Sequence, residues 1–198
     1  IQGQVDIPLN EFGRLLAKKT AIGLAKIPFD LCYTSPLSRA RETAELILEG
    51  RAVPVIEDER IAEMAFGEYE GRCCSKSGWD LPDEFRRFFD GPDRYCAPTG
   101  GEDFAQVKKR TNEFLQEIYG KKEYQESHIL ITTHGAALAG LLNNIKGKSL
   151  AEYWGTGVHK NCGVTEVEVS GGIPALLSEN VVYYDDEVEP WEEQAHKV

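Results

Sequence analysis

The chain has 198 residues, of which 41% are hydrophobic and 28% are charged, which is enough for one sizeable core and at most a small cap. The formal net charge of -11 argues against nucleic acid or an anionic membrane as a partner, because either would need a strong basic patch and none is visible. Five cysteines without a CxxC spacing favour reduced thiols over a disulfide framework or a zinc site. No apolar run approaches membrane-spanning length and no signal peptide is visible, so we expect a cytoplasmic protein.

The first half of the chain alternates predicted helices and short strands. Residues 8–26 carry apolar side chains at helical spacing, with Asn10 as the N-cap. A short apolar strand follows at 29–34, then a helix that starts at Ser35-Pro36, runs through Ile47 and ends at Gly50. Another short strand is predicted at 53–57. From 60 to 101 glycine, proline and aromatic residues accumulate, which predicts a loop-rich insertion with one or two short helices.

The second half continues the alternation. An amphipathic helix is predicted over 101–120, a buried strand over 128–133, a helix over 135–145, and two strands over 163–170 and 174–184. The pattern predicts an α/β fold, a three-layer α/β/α sandwich with a mostly parallel central sheet and a small inserted cap. We expect one domain over residues 1–198, with the cap at about 72–98 and an acidic, solvated tail at about 185–198.

Ligands in open parallel sheets bind beyond the carboxyl ends of the strands, and two predicted strands end in chemically useful residues. Ser35 follows the first strand, with Arg39 one turn into the next helix; His134 and Gly135 follow the strand at 128–133. A guanidinium group matches phosphate oxygens, and the N–H groups of a helix start suit an anion. Taken singly, Arg39 is better explained as a surface charge and His134 as a packed corner histidine. Together they predict a phosphate site.

Glu63 is a third candidate, because it lies among apolar residues in a glycine-rich loop where a carboxyl pKa tends to rise. It could serve as a general acid, although an exposed loop glutamate is the simpler alternative. Glu102 could be only a carboxylate at a helix start. Other phosphate chemistries fail: neither a Walker nor a dinucleotide motif is present, and Cys32 and Arg39 do not have the spacing of a cysteine phosphatase. The histidines lack metal-ligand spacing, so we expect neither a metal nor a cofactor.

Five segments, in this order, resemble the histidine phosphatase superfamily of phosphoglycerate-mutase-like enzymes: IQGQVDIPLNEFG, YTSPLSRARETA, EMAFGEYEG, PTGGEDF and TTHGAAL. The resemblance implies an α/β sandwich and phosphoryl transfer through a phosphohistidine. It implies that Arg39 clamps the phosphate, that Glu63 donates a proton, and that His134 is the second histidine, which binds the phosphoryl group. Arg41 is expected to point outward. The weaker substrate-side candidates are Gln2, Gly3, Gly135 and Glu102.

One element of the resemblance is missing from the printed residues. The family carries its nucleophile in an Arg-His-Gly motif before the first matching segment, and this sequence begins at Ile1, after that point. We therefore expect a longer parent protein or a truncated clone, unpaired strand edges, and no significant phosphatase activity from the residues as printed. Of the other histidines, His128 falls at the wrong end of its strand and His196 in the tail; only His159 lies in a loop that could approach the site.

The leading hypothesis is a phosphomonoester hydrolase acting on a small phosphorylated metabolite. A phosphoglycerate mutase is the alternative within the family, but only 38 residues separate Glu63 from Glu102, short of the insertion typical of the cofactor-dependent mutases. A non-catalytic phospho-ligand binding domain is the alternative from another class. The oligomeric state is open. Aromatic side chains of the cap either contact the non-phosphate part of the substrate or form the cap's own core; they are Trp79, Phe85, Phe88, Phe89 and Tyr95.

Overall fold

The computed structural model describes residues 1–184, and the predicted acidic tail lies outside them. The strands are β1 (Leu31–Thr34), β2 (Val55–Glu57), β3 (Ile129–Thr132), β4 (Val164–Ser170) and β5 (Ile173–Val181). The helices are α1 (Glu11–Gly23), α2 (Ser38–Ile47), α3 (Arg87–Asp90), α4 (Phe104–Gly120) and α5 (Gly135–Ile145). Asn10 caps α1 as predicted, since its side chain accepts a hydrogen bond from the Gly13 N–H at 2.8 Å. None of the helices in this part of the chain combines the length and apolar character needed to cross a bilayer.

The central sheet has the order β2-β1-β3, and all three strands are parallel, as predicted. β4 and β5 form a separate antiparallel pair. The reason is the connection between them: Gly171 and Gly172 both have positive φ, at 58° and 79°, and so short a link can join only antiparallel strands. In the described residues β3 pairs only with β1, and β4 only with β5.

The sheet separates two helical layers. Side chains at alternating positions of β1 and β3 form one cluster with residues of α4 and α5: Leu31, Tyr33, Ile129 and Ile131 with Phe114, Leu115 and Leu141. The intervening positions, Cys32 and Leu130, cluster with Ala44 and Leu48 at α2. Because successive side chains of a strand point to opposite faces, helices cover both faces of the sheet, and the predicted three-layer sandwich is confirmed.

The segment predicted as a cap contains short 3-10 turns at Asp83–Arg86 and Pro92–Arg94 with α3 between them. Phe85, Phe88 and Tyr95 are buried in one cluster with Phe104 of α4. Phe88 stacks on Phe104 with ring centroids 5.1 Å apart. Of the two roles considered for the aromatic residues, the structure therefore favours core packing for these three, and that core is continuous with the main one.

Candidate active site

Two strand-to-helix corners form the frame of the site. β1 leads into Ser35 and β3 leads to His134, the N-cap residue of α5. Because β1 and β3 are parallel neighbours, both corners lie at the same edge of the sheet. The Ser35 N–H donates to the Thr132 carbonyl at 3.0 Å, and His134 Nε2 lies 2.7 Å from Ser35 Oγ. The structure thus joins the two corners through a serine and a histidine.

His134 is neutral in this arrangement. The Ser35 hydroxyl accepts the Leu37 N–H at 3.3 Å, which leaves its own proton for Nε2 of His134. Burial of the imidazole, followed by the charges of Arg39 and Arg110, lowers the His134 pKa to about 3. Nε2 therefore accepts a hydrogen bond and the remaining proton belongs on Nδ1, an assignment that follows from the hydrogen-bond network.

Arg39, in the first turn of α2, points inward. Its guanidinium donates to the Val5 carbonyl at 3.0 Å and to the Gly3 carbonyl at 2.6 Å. Within residues 1–184 no carboxylate lies within ion-pair distance of it. Burial lowers the pKa of Arg39, while more distant charges, with Glu63 foremost, favour its charged form. Arg41, by contrast, contacts Glu57 at 3.2 Å on the surface, as predicted.

The side chain of Glu63 lies against the first turn of α5, far from it in sequence. Its Oε1 accepts N–H groups from Met64 at 2.8 Å and Ala137 at 3.2 Å, and its Oε2 accepts the Ala136 N–H at 3.3 Å. Burial raises the pKa of this carboxyl even though the three N–H donors and Arg39 oppose the shift. A carboxyl that holds its proton to higher pH than usual is suited to general acid catalysis.

An ion pair between Arg110 and Glu102 holds the Glu63 loop in place. Arg110 of α4 binds both carboxylate oxygens of Glu102, at 2.8 and 2.9 Å, and donates to the backbone carbonyls of residues 60, 62 and 63. Glu102 also accepts the Ala65 N–H at 3.0 Å. The sequence placed Glu102 on the substrate side or at a helix start; the structure shows both its oxygens bound to protein donors. Sequence reasoning missed Arg110, for which no local signal exists.

The first residues of the chain cover the site from another side. The Glu70 carboxylate accepts the Gln4 N–H at 2.9 Å, and the Gln4 side chain donates to the Glu63 carbonyl at 3.0 Å. Gly3 has φ of 55°, and a Cβ there would overlap the Glu70 side chain, so glycine is favoured at this position. Gly3 meets Arg39 through its carbonyl, whereas the Gln2 side chain is exposed. Glu70 was also missed from sequence.

Gly135 is the exposed residue at the start of α5. In the described part of the chain its N–H has no hydrogen-bond partner, whereas the next two N–H groups donate to Glu63. His128 lies at the other end of β3, where its N–H donates to Asp30, and His159 lies 3.2 Å from Glu179. His196 is outside the described residues. The site thus offers one free N–H donor, an arginine without an anion, a neutral imidazole and a carboxyl with a raised pKa.

A profile of the histidine phosphatase superfamily (branch 1) matches residues 1–182. The chain belongs to this superfamily. The solved structure of Bacillus stearothermophilus YhfR superposes with a TM-score of 0.84 at 33% identity, covering 96% of this chain and 91% of that one. Phosphoserine phosphatase 1 of Hydrogenobacter thermophilus is 30% identical over 156 residues, which are 79% of this chain and 72% of the relative. The 2,3-bisphosphoglycerate-dependent phosphoglycerate mutase 2 of Gloeobacter violaceus is 31% identical over 147 residues, 71% of this chain and 65% of the relative.

Membership confirms the family predicted from the five segments and the phosphoglycerate-mutase-like α/β fold. The relatives are named as enzymes, a phosphatase and a mutase, and their substrates are small phosphorylated compounds. The predicted class of activity, phosphatase chemistry of the histidine phosphatase family, is confirmed at the level of the family.

Proposed function

We propose that Arg39, Glu63 and His134 form the phosphate-binding and proton-donating side of a phosphomonoester hydrolase that acts on a small phosphorylated metabolite. The observation that carries the proposal is that Arg39 faces this site without a carboxylate partner among residues 1–184. A partly buried cation of this kind is stabilised by an anion from outside, and a phosphate dianion matches the fork of a guanidinium.

In this proposal the phosphate oxygens accept hydrogen bonds from Arg39 and from the free Gly135 N–H. The incoming negative charge raises the pKa of His134, so that Nε2 takes up a proton and donates it to Ser35 Oγ, while the N–H at Nδ1 donates to a phosphoryl oxygen. The Ser35 hydroxyl then turns to accept instead of donate. These three donors neutralise the charge that develops on the transferring phosphoryl group.

Glu63 supplies the proton for bond cleavage. When a nucleophile bonds to phosphorus and the bond to the ester oxygen breaks, that oxygen takes the proton of the Glu63 carboxyl and leaves as an alcohol, while the phosphoryl group passes to the nucleophile and finally to water. The phosphohistidine implied by the resemblance requires an attacking imidazole, and in the described part of the chain neither His128 nor His159 contacts Arg39, Glu63 or His134. The proposal therefore assigns the acid and the phosphate clamp, and assigns no nucleophile.

A mutase is the second candidate, since one relative carries that name. The short separation between Glu63 and Glu102 favours the hydrolase. A domain that binds a phosphorylated ligand without turnover is the third candidate, and it would use the same phosphate-binding residues.

Titration of the chain with inorganic phosphate, followed by isothermal calorimetry, tests the clamp. Arg39→Met should weaken binding at least about tenfold, because a hydrogen bond to a charged group contributes about 1.5–3 kcal/mol. Arg41→Met is the matched control. Arg41 lies two residues further along the same helix and pairs with Glu57 on the surface, so its removal should leave the affinity for phosphate unchanged. Equal affinity in wild type and Arg39→Met would overturn the clamp.

Turnover separates the hydrolase from the binding domain. If an aryl phosphate assay on the chain shows release of phosphate, the Glu63→Gln variant should slow that release most for poor leaving groups, because these depend most on protonation. Phosphate binding without any turnover would favour the binding domain. A requirement for 2,3-bisphosphoglycerate would favour the mutase.

A further inference from the structure

The loop between α5 and β4 brings an apolar side chain to the site. Val158 is 61% exposed, and a methyl group placed on Gly135 would lie 3.8 Å from Val158 Cγ1 and 3.8 Å from Glu63 Oε2. One point in space therefore contacts both the general acid and the valine. Glu63 Oε2 and Val158 Cγ1 are therefore no farther apart than twice that distance.

The loop that carries Val158 is fixed at both ends. On one side the Trp154 indole N–H donates to the Phe88 carbonyl at 2.6 Å, and its ring packs against Phe88 at 5.0 Å. On the other side His159 Nε2 lies 3.2 Å from Glu179. The Gly157 N–H closes the turn by donating to the Trp154 carbonyl at 2.8 Å. Val158 is thus presented on a defined turn that is tied to the main core.

The charges behind this turn are compensated. The Glu179 carboxylate receives Lys146 Nζ at 2.7 Å from both of its oxygens, as well as His159. The turn therefore offers the site an apolar surface, with no unpaired charge from these three residues to attract an ionic substituent.

Single exposed valines are ordinary on protein surfaces. The position of this one is what gives it a role, because Glu63 protonates the ester oxygen in the proposed reaction. The carbon attached to that oxygen must lie beside Glu63, and the organic group that continues from it leaves the site next to Val158.

We propose that Val158 is a specificity-determining contact for the organic part of the substrate and that it favours a hydrocarbon or aromatic group directly attached to the ester oxygen. This inference rests on the proposed function, since it uses Glu63 as the proton donor. It names the substrate class as phosphomonoesters of apolar alcohols or phenols, in preference to those with a charged group next to the ester.

Two ligands that share the phosphoryl group and differ in the organic part test the proposal: inorganic phosphate and phenylphosphonate. Wild type should bind phenylphosphonate more tightly than phosphate. Val158→Ala should weaken phenylphosphonate about threefold to tenfold, since part of the buried apolar surface is lost, and leave phosphate unchanged. Val169→Ala is the matched control, an exposed valine on β4, and it should change neither affinity.

The outcomes separate the two proposals. Phosphate binding with a selective loss of phenylphosphonate affinity in Val158→Ala supports the role of Val158. Phosphate binding with equal phenylphosphonate affinity in wild type and Val158→Ala overturns that role and leaves the phosphate clamp intact. Absence of phosphate binding in wild type overturns the clamp, and the assignment of Val158 with it. As a second variant, Val158→Lys should favour phosphonoacetate over phenylphosphonate, because it replaces the apolar contact by a cation.

Discussion

Arg39 and Arg110 reach the neighbourhood of Glu63 from two sides, and they differ in the anion that accompanies them. Arg110 binds both oxygens of Glu102 and three backbone carbonyls, and the two side chains are only 16% and 19% exposed. Arg39 binds two backbone carbonyls and, among residues 1–184, no carboxylate. An arginine that is paired with a carboxylate of the same protein stabilises the fold, whereas an arginine without such a carboxylate can bind an anionic ligand.

This comparison predicts a large loss of stability on removal of Arg110. Arg110→Met leaves the Glu102 carboxylate largely buried without its cation and leaves three carbonyls of the Glu63 loop without a donor. Breaking a pair of this kind costs about 3–5 kcal/mol. The free energy of unfolding, measured by urea denaturation at pH 7, checks the value.

Arg86→Met is the control for that experiment. Arg86 pairs with Asp83 at 3.3 Å, but the two side chains are 56% and 89% exposed, so the loss should stay within about 1 kcal/mol. If Arg110→Met and Arg86→Met destabilise the chain equally little, the Arg110–Glu102 pair does not hold the loop, and Arg110 has no structural role that distinguishes it from Arg39.

Much of the fold could be predicted from the sequence because its signals are local. Apolar spacing and the Asn10 cap located α1, and the apolar runs located β1 and β3 to within about two residues. The corners at Ser35 and His134 followed, because the ends of parallel strands share an edge of the sheet. The antiparallel β4–β5 pair was not recognised as separate, although the Gly171-Gly172 turn was a signal for it.

The partners of the side chains could not be predicted, because they depend on residues that are distant in sequence. Nothing near Arg110 indicates that it binds a loop about fifty positions earlier, and Glu102 was predicted only as a helix-start carboxylate or a substrate-side residue. For the same reason the sequence could not decide between a substrate-contacting and a core role for Phe85 and Phe88. Packing around Phe104 decides it, and packing is a property of the tertiary structure.

The buried imidazole of His134 makes the stability of the chain depend on pH. The His134 pKa is about 3 in the folded chain and about 6.5 when the imidazole is solvated, so the unfolded chain binds the proton more tightly. The stabilising effect of neutral His134 is therefore complete above pH 6.5 and is lost as the pH falls toward 3. We expect wild type to lose about 3 kcal/mol more than His134→Gln between pH 7 and pH 4.

Urea denaturation at several pH values measures this difference. Glu63 acts in the opposite sense, because its raised pKa favours the folded state at low pH, but it is present in both proteins and cancels in the comparison. His128→Gln is the control, an exposed imidazole at the far end of β3. If His134→Gln and wild type lose stability in parallel, the imidazole of His134 is not kept neutral by its surroundings.

The smallest effect on stability is expected at Arg39. Arg39→Met gives up hydrogen bonds to the Gly3 and Val5 carbonyls, but it also removes a partly buried charge that had no anion, so we expect a net loss of only about 1 kcal/mol. Phosphate at ten times its wild-type dissociation constant should add about 1.4 kcal/mol to the unfolding free energy of wild type and at most about 0.4 kcal/mol to that of Arg39→Met. A loss at Arg39 as large as that at Arg110 would show that both arginines serve the scaffold. A small loss of unfolding free energy in Arg39→Met, together with a much weaker stabilisation by phosphate, would show that Arg39 binds the ligand and contributes little to the fold.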